Sequence, residues 1–152
     1  MLQKTLCLIK PDGVQRRLVG TLIERLERKG FRIAAMRMLR VDADLARLHY
    51  AEHEGKPFFP LLIDYITSGP IIALCLEGND AIASLRNIVG NTNPVKAAAG
   101  TIRGDYALTI GRNLIHAADS PEAAERELAL FFSPKDIIEH TPALHSWIHR
   151  ED

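Results

Sequence analysis

The stretch Thr5-Leu-Cys-Leu-Ile-Lys10-Pro-Asp-Gly13 decides how the fold begins, because a run of β-favouring residues is followed at once by a turn. Residues 5–9 favour a strand, and Pro11-Asp12-Gly13 is a turn signature, so we expect the strand to end at Lys10. The Lys10 amine should then lie at the carboxyl end of a strand.

Apolar spacing and capping residues predict the elements that follow. The predicted helices are one from Leu18 to Gly30, one capped by Asp42 or Asp44 that carries His49 and His53 and stops at Gly55, a short one over residues 57–67, one from Asn79 or Asp80 to Val89, and one from Ser120 to Phe131 or Phe132. The predicted strands are 31–41, 71–76 and 106–111, and residues 90–104 form a long ordered loop.

Four strands with intervening helices suit an α+β fold. We predict a ferredoxin-like βαββαβ plan, in which a four-stranded antiparallel sheet is covered by helices on one face, with a helical hairpin inserted after the second strand. The length of 152 residues suits one domain over residues 1–152, with an irregular tail from 133 to 152.

Charge and hydropathy narrow the class of protein. The 19 Lys and Arg residues balance the 19 Asp and Glu residues, so no overall field draws the chain to nucleic acid or to an anionic membrane. The chain has no apolar stretch of membrane-spanning length, and Met1 leads into a strand pattern without a signal peptide, so a cytoplasmic location is expected. Cys7 and Cys75 lie in apolar runs and are expected to be buried and unpaired.

Cationic and hydroxyl side chains of the kind that bind phosphate are concentrated in and just before the long loop, although neither a P-loop nor a Rossmann glycine pattern is present. Arginine offers a planar donor fork to phosphate oxygens, and threonine adds an uncharged donor. The residues are Arg86, Thr92, Lys96, Thr101 and Arg103. Composition alone favours a site here only slightly over a solvated loop.

His116 is a candidate nucleophile, because it is predicted to lie between a strand and a helix with small neighbours on its carboxyl side. An imidazole is neutral near pH 7 and nucleophilic, and a carboxylate such as Glu127 could orient it through its other nitrogen. A lone histidine at this position is more often held by the backbone without catalysing anything. Lys10, Tyr50 and His53 form a third group that a compact fold could bring together.

Taken together, four segments resemble the nucleoside diphosphate kinase family, and the resemblance extends to about Phe132. They are residues 5–13, residues 56–59 with 68–70, Gly100-Thr-Ile-Arg-Gly-Asp105, and Gly111-Arg-Asn-Leu-Ile-His-Ala-Ala-Asp-Ser120. The last segment is the most specific, and it outweighs the interpretation of His116 as a histidine that is held by the backbone and has no catalytic role.

The resemblance implies an enzyme that moves the γ-phosphoryl group from a nucleoside triphosphate to a nucleoside diphosphate through a phosphohistidine, with broad base specificity. His116 matches the phosphorylated histidine and Glu127 the glutamate that orients it, with Ser120 supporting. Phe58 matches the aromatic residue that stacks on the base, with Leu62 and Ile110 as apolar partners. Seven positions match residues that contact phosphates or ribose: Lys10, Tyr50, His53, Arg86, Thr92, Arg103 and Asn113. Three of them, Lys10, Tyr50 and Asn113, also match catalytic residues.

The resemblance also implies the ferredoxin-like fold, Mg²⁺ carried in with the nucleotide phosphates, and a homo-oligomer, either a tetramer or a hexamer. Two positions depart from the family pattern: Ala99 replaces a usual proline and Ala118 a usual serine. Loss of the proline should loosen the loop before Gly100. The weak match of the tail leaves the oligomer size open.

Two alternatives come from other classes of protein. A ferredoxin-like sheet is also the architecture of RNA-recognition modules, but the strands here carry mostly aliphatic residues and the net charge is zero, so nucleic acid is not the expected partner. His49 and His53, four apart on a predicted helix, could share a metal ion, but no third ligand accompanies them. We expect that pair to lie on an exposed helix face, with His53 alone having a role.

Overall fold

The computed structural model describes residues 1–150 and contains a four-stranded antiparallel sheet. The strands are β1 (Leu2–Ile9), β2 (Arg32–Leu39), β3 (Ile71–Asn79) and β4 (Ile115–Ala117), arranged in the order β2-β3-β1-β4. Every neighbouring pair is antiparallel. This order and the intervening helices confirm the predicted ferredoxin-like plan.

The helices begin and end largely where capping residues predicted. They are α1 (Pro11–Gln15), α2 (Val19–Lys29), α3 (Ala43–His49), α4 (Phe59–Thr67), α5 (Ala81–Val89), α6 (Ile102–Tyr106), α7 (Pro121–Phe131) and α8 (His145–Ile148). The Asp42 carboxylate accepts a hydrogen bond from the Leu45 amide, and Gly30 ends α2 with a φ of 114°. Helices α3 and α4 form the inserted hairpin after β2.

Helices cover both faces of the sheet, so the prediction of one covered face is wrong. One apolar cluster joins a face of β1 and β3 to α2 and α5; among its residues are Cys7, Ile9, Leu22, Leu26, Leu74, Leu76 and Leu85. A second joins the opposite face to α3, α4 and α7; it includes Leu6, Leu8, Ala46, Ile66, Ala73, Cys75 and Phe131. The continuous apolar runs in β1 and β3 are typical of strands that are buried on both faces.

The prediction of a fourth strand at residues 106–111 is wrong, because this strand lies at Ile115–Ala117. Tyr106 ends α6 instead, and the following residues form a turn in which Leu108 and Ile110 are exposed. Residues 106–110 have high β-propensity, but the edge of β1 pairs with the buried residues Ile115 and Ala117. His116 therefore lies within a strand, opposite Leu8, and not after one.

Smaller differences concern turns and loops. The turn after β1 is the short helix α1, and the helix predicted to reach Gly55 ends at His49, before a 3₁₀ turn over Ala51–His53. The long loop contains a 3₁₀ turn at Pro94–Lys96 and the first residues of α6. Both cysteines are buried and free, as expected. Among the described residues, no helix combines the length and apolar character needed to span a membrane.

Candidate active site

A cavity of about 800 Å³ lies at the carboxyl end of β1 and beside β4. It brings together every site residue that the resemblance implies except Ser120, although these residues come from distant parts of the chain. Lys96 and Thr101, the other two candidates from the loop, do not line it, and the Thr101 hydroxyl caps α6 by accepting a hydrogen bond from the Gly104 amide. Those that line it are Lys10, Tyr50, His53, Phe58, Leu62, Arg86, Thr92, Arg103, Ile110, Asn113, His116 and Glu127. The volume is in the range of small-molecule sites.

His116 is held by the carboxylate of Glu127. Its Nε2 lies 3.1 Å from both Oε1 and Oε2 of Glu127, whose side chain is buried, whereas the His116 side chain is partly exposed. A carboxylate only accepts hydrogen bonds, so Nε2 carries the proton and Nδ1 keeps its lone pair. Within residues 1–150, Nδ1 has no hydrogen-bond partner.

The surroundings keep the His116 ring neutral. Burial, followed by the positive charges of Lys10, Arg103 and Arg86, lowers the pKa of His116 below its usual range. Burial also raises the pKa of Glu127. A neutral ring with a free Nδ1 lone pair is the form that can act as a nucleophile.

A chain of hydrogen bonds joins β1 to the loop through Lys10. The buried Lys10 amine donates to Asn113 Oδ1 at 2.9 Å, and Asn113 Nδ2 donates to the Thr92 carbonyl at 3.1 Å. The Lys10 backbone amide donates to the Leu114 carbonyl at 2.8 Å. Leu114 has a φ of 73°, a left-handed conformation that is unusual for leucine and is often found beside functional sites.

Arg103 forms several hydrogen bonds within the protein, in contrast to a side chain whose only role is to bind phosphate. It is only 3% exposed, and its Nε, Nη1 and Nη2 donate to the carbonyls of Asn113, Gly90 and Ile115 at 3.2, 3.1 and 2.6 Å. Three of the five N–H groups are thereby used, and the other two remain for a ligand. Arg86 is exposed and donates one bond, to the Ala117 carbonyl.

The other end of the cavity is apolar and open. Phe58 and Ile110 are exposed, and Leu62 is half-buried. The His53 ring lies 5.4 Å from the Phe58 ring, and the Lys56 amine lies 5.7 Å from that ring's centre. An exposed aromatic face beside aliphatic side chains is suited to stacking of a planar group.

Ser120 lies at the start of α7, outside the residues that line the cavity. Its hydroxyl accepts a hydrogen bond from the Ala123 amide at 3.1 Å and so caps the helix. Across residues 1–150, no hydrogen bond joins Ser120 to His116 or Glu127. Its direct contact therefore supports α7, the helix that carries Glu127.

His49 was expected on an exposed helix face, and that expectation is wrong. It is 2% exposed, and its ring centre lies 4.6 Å from that of His116. The pairing with His53 on one helix face also fails, because α3 ends at His49 and His53 belongs to the 3₁₀ turn. The structure buries Ala46, which lies three positions before His49 and therefore on the same face of α3. The spacing of His49 from this apolar residue was the signal in the sequence.

Sequence reasoning missed several other residues around the cavity. Arg112 and Asp119 line it, and the Tyr65 hydroxyl donates to the carboxylate of Asp12. The Arg112 guanidinium lies 4.8 Å from the centre of the Tyr65 ring. Arg112 and Asp119 lie inside the segment that carries the resemblance, so their proximity to His116 was the available signal.

Comparisons with known proteins identify relatives of this chain. The sequence pattern of the nucleoside diphosphate kinase family matches residues 3–137. The nucleoside diphosphate kinase of Archaeoglobus fulgidus is 55% identical over 150 residues, covering 99% of each chain, and that of Heliobacterium modesticaldum is 53% identical over 147 residues, covering 97% of this chain and 99% of its own.

The solved structures point the same way. A halophilic nucleoside diphosphate kinase from Halobacterium salinarum, in complex with CDP, superimposes with a TM-score of 0.96 at 44% identity, covering 99% of this chain and 100% of its own. A Babesia bovis protein of the same family gives a TM-score of 0.94 at 42% identity, covering 97% of this chain and 99% of its own. The chain therefore belongs to the nucleoside diphosphate kinase family.

Proposed function

We propose that Nδ1 of His116 carries the phosphoryl group when this nucleoside diphosphate kinase transfers it from a triphosphate to a diphosphate. One observation carries the proposal: Glu127 occupies Nε2 at 3.1 Å, which leaves Nδ1 unpartnered on a side chain that lines the cavity. A neutral, oriented imidazole is the form that nucleophilic catalysis requires.

The reaction then has two balanced halves. In the first, a bond forms between Nδ1 and the γ-phosphorus as the bond to the bridging oxygen breaks, and the diphosphate leaves with the electron pair. The proton on Nε2 stays there, so the phosphorylated ring gains positive character that faces the Glu127 carboxylate. In the second, a terminal oxygen of another diphosphate attacks the phosphorus and the bond to Nδ1 breaks. One cavity serves both nucleotides in turn.

Cations and polar groups around His116 spread the charge of the transferring group. Lys10, Arg86 and Arg103 supply the positive charge, and Thr92, Tyr50 and Asn113 add uncharged donors along the same wall. Charge stabilisation and positioning account for most of the rate in phosphoryl transfer. The Tyr50 hydroxyl is buried and has no partner within residues 1–150, which leaves it free for a nucleotide oxygen.

Mg²⁺ fits this site as an ion carried by the nucleotide. Within residues 1–150, the one cluster with metal-ligand spacing combines His49, His116 and Glu127, whereas Mg²⁺ prefers an octahedron of oxygen ligands. The phosphates would supply most of those oxygens, and Asp119 is the exposed carboxylate that lies near His116. When bound, the ion neutralises charge on the phosphates.

The base would stack on Phe58 between Leu62 and Ile110. Stacking reads no base edge, and an apolar slot discriminates weakly between related groups, so we infer broad nucleotide specificity. The CDP complex of the Halobacterium salinarum relative supports a nucleotide in this cavity.

The kinetic pattern tests the proposed function. Initial rates measured over several donor and acceptor concentrations should give parallel double-reciprocal lines, because the donor diphosphate leaves before the acceptor enters. Intersecting lines would require both nucleotides to be bound at once and would contradict the phosphohistidine route.

Removing the Phe58 ring should weaken binding of all nucleoside diphosphates to a similar extent. Base stacking on an aromatic residue is worth about 1–3 kcal/mol, so we expect Phe58→Ala to raise Kd by roughly five- to 150-fold for purine and pyrimidine alike. Competition titrations with both classes measure this. A loss confined to one base would mean that specific edge contacts hold the nucleotide.

Nucleotide binding should be accompanied by proton uptake at Lys10. Burial, followed by the charge of Arg103, lowers the pKa of Lys10 to about 7, so above that pH the free enzyme holds much of this amine neutral. Phosphate oxygens favour the charged form and raise the pKa, so the amine takes up a proton on binding near pH 8. Calorimetry in buffers of different ionisation enthalpy measures the uptake. Lys10→Met should abolish it, and unchanged uptake in that variant would contradict the assignment.

The chain's surface supports a homo-oligomer, which we propose is a tetramer or a hexamer. Strand β2 is an edge of the sheet, and its Met36 and Met38 are 60% and 61% exposed, while Trp147 in the tail is 86% exposed. Exposed apolar side chains on an edge strand favour association with another chain. Sedimentation equilibrium would give the subunit number, and a monomer would contradict the proposal.

We also propose that the enzyme works in the cytoplasm, where its nucleotide substrates are made and used. Nucleic acid is not the favoured partner, because helices pack on both faces of the sheet, whereas RNA-recognition modules bind bases on an open sheet face.

A further inference from the structure

His49 is a buried polar residue that the reaction described above does not use. Its side chain is almost fully buried, and within residues 1–150 neither of its ring nitrogens has a hydrogen-bond partner. Buried polar groups in native proteins are nearly always hydrogen-bonded, so each exception calls for an explanation.

The position of His49 relates it to the proposed nucleophile. Its ring centre lies 4.6 Å from that of His116 with the planes at 82°, and it packs edge-on against Tyr50 and Phe131 as well. His49 Nδ1 lies 3.9 Å from Glu127 Oε1, which is longer than a hydrogen bond.

One carboxylate oxygen of Glu127 is available to accept a hydrogen bond from His49. Both of its oxygens lie 3.1 Å from the same His116 nitrogen, so one N–H is shared between two oxygens. A carboxylate can instead give one oxygen to each of two donors. A relative movement of about 1 Å would bring Oε1 to a normal hydrogen-bond distance from His49 Nδ1 and leave Oε2 with His116.

We propose that His49 is a positioning residue that carries a proton on Nδ1 and donates it as a hydrogen bond to Glu127 Oε1 during phosphoryl transfer, while Oε2 holds His116. The proposal rests on the orienting role of Glu127 under "Proposed function". Its effect is to keep Glu127 ionised, and thus to keep the His116 proton on Nε2 and the lone pair on Nδ1.

The charges around the two residues are consistent with this role. Burial, followed by His116, lowers the pKa of His49 to about 3, so its ring is neutral near pH 7 and carries one proton. Burial raises the pKa of Glu127, and a donor at Oε1 would oppose that rise. The titratable and charged groups that face the pair from neighbouring elements are His116, Lys10, Tyr50, Asp119 and Arg126.

Two substitutions separate positioning from packing. His49→Phe keeps a ring against Tyr50 and Phe131 but removes both nitrogens, whereas His49→Asn keeps an N–H close to the position of Nδ1. The rate of single-turnover phosphorylation of His116 is measured against pH in each variant and in the wild type, with thermal melting recorded alongside.

We expect the acid limb of the rate profile to move to higher pH in His49→Phe. Without the donor, the Glu127 pKa rises further, and each unit of rise lowers the rate about tenfold on the acid side of the limb and little on the alkaline side. His49→Asn should return the limb toward the wild-type position. Superimposable profiles, or a loss that is uniform with pH and is not recovered by Asn, would overturn the proposal.

A measurement on the wild-type protein keeps the proposal testable should His49→Phe not fold. Nitrogen-15 NMR of labelled histidines should show His49 protonated at Nδ1 and not at Nε2 in the phosphorylated enzyme, and the opposite tautomer would overturn the inference. Glu127→Gln separates the role of Glu127 from the role of His49. If Glu127→Gln is phosphorylated at the wild-type rate, Glu127 has no orienting role. If Glu127→Gln is phosphorylated slowly but His49→Phe at the wild-type rate, only the proposed role of His49 is wrong.

Discussion

His116→Ala should abolish phosphoryl transfer and leave the fold intact. The substitution removes the only atom proposed to bond to phosphorus, Nδ1. The side chain it removes lines the cavity and is partly exposed, so little core packing is lost. The measurement is kcat/KM for transfer between two nucleotides, together with the melting temperature. His145→Ala is a matched control, because this histidine lies in α8 outside the cavity.

A residual activity within tenfold of the wild type would contradict the assignment of His116. Tenfold is only about 1.4 kcal/mol of barrier, far less than the loss of a covalent route should cost. A variant that is inactive and also unfolded would show instead that the ring is needed for stability.

Glu127→Gln should give the second largest loss, smaller than that of His116→Ala. Glutamine keeps the size and one acceptor for the His116 Nε2 proton, but it removes the negative charge that faces the ring as positive character develops. Hydrogen bonds to charged groups are worth about 1.5–3 kcal/mol, so we expect phosphorylation of His116 to slow roughly ten- to 150-fold. Single-turnover phosphorylation measures the step directly.

Glu127→Gln should slow the phosphorylation of His116 without lowering the free energy of unfolding. Burial raises the pKa of Glu127 in the folded state, so the folded protein binds more protons than the unfolded chain between the two pKa values, and stability decreases as pH rises through that window. Glutamine removes this pH-dependent penalty. Glu125→Gln on the exposed side of α7 is the control and should change neither quantity. Phosphorylation of Glu127→Gln at the wild-type rate would mean that the carboxylate has no orienting role.

Strands β1 to β3 and the longer helices could be predicted because their signals are local. Apolar runs mark the strands, while Asp42 and Ser120 mark helix starts. Strand β4 could not be predicted in this way, because it has three residues and its position depends on pairing with β1. The β-favouring residues 106–110 offered a stronger local signal but lie outside the sheet.

The grouping of the site residues follows from tertiary structure and not from local pattern. Lys10 and Asn113 are 103 positions apart in the chain and are hydrogen-bonded in the fold. No spacing rule predicts such a pair, and the resemblance to a family was what placed them together. The carbonyl contacts of Arg103 were equally beyond sequence reasoning, because Gly90, Asn113 and Ile115 meet only once the loop has folded onto β4.

The most direct measurement of the central claim is the position of the phosphoryl group on the enzyme. The protein is incubated with γ-labelled ATP in the absence of an acceptor, digested, and the labelled peptide sequenced, with the stability of the label followed in acid and in base. We predict a label on His116 alone that is lost in acid and kept in base. Label on another residue, a label stable in acid, or no label on an enzyme that is active with both nucleotides would contradict it.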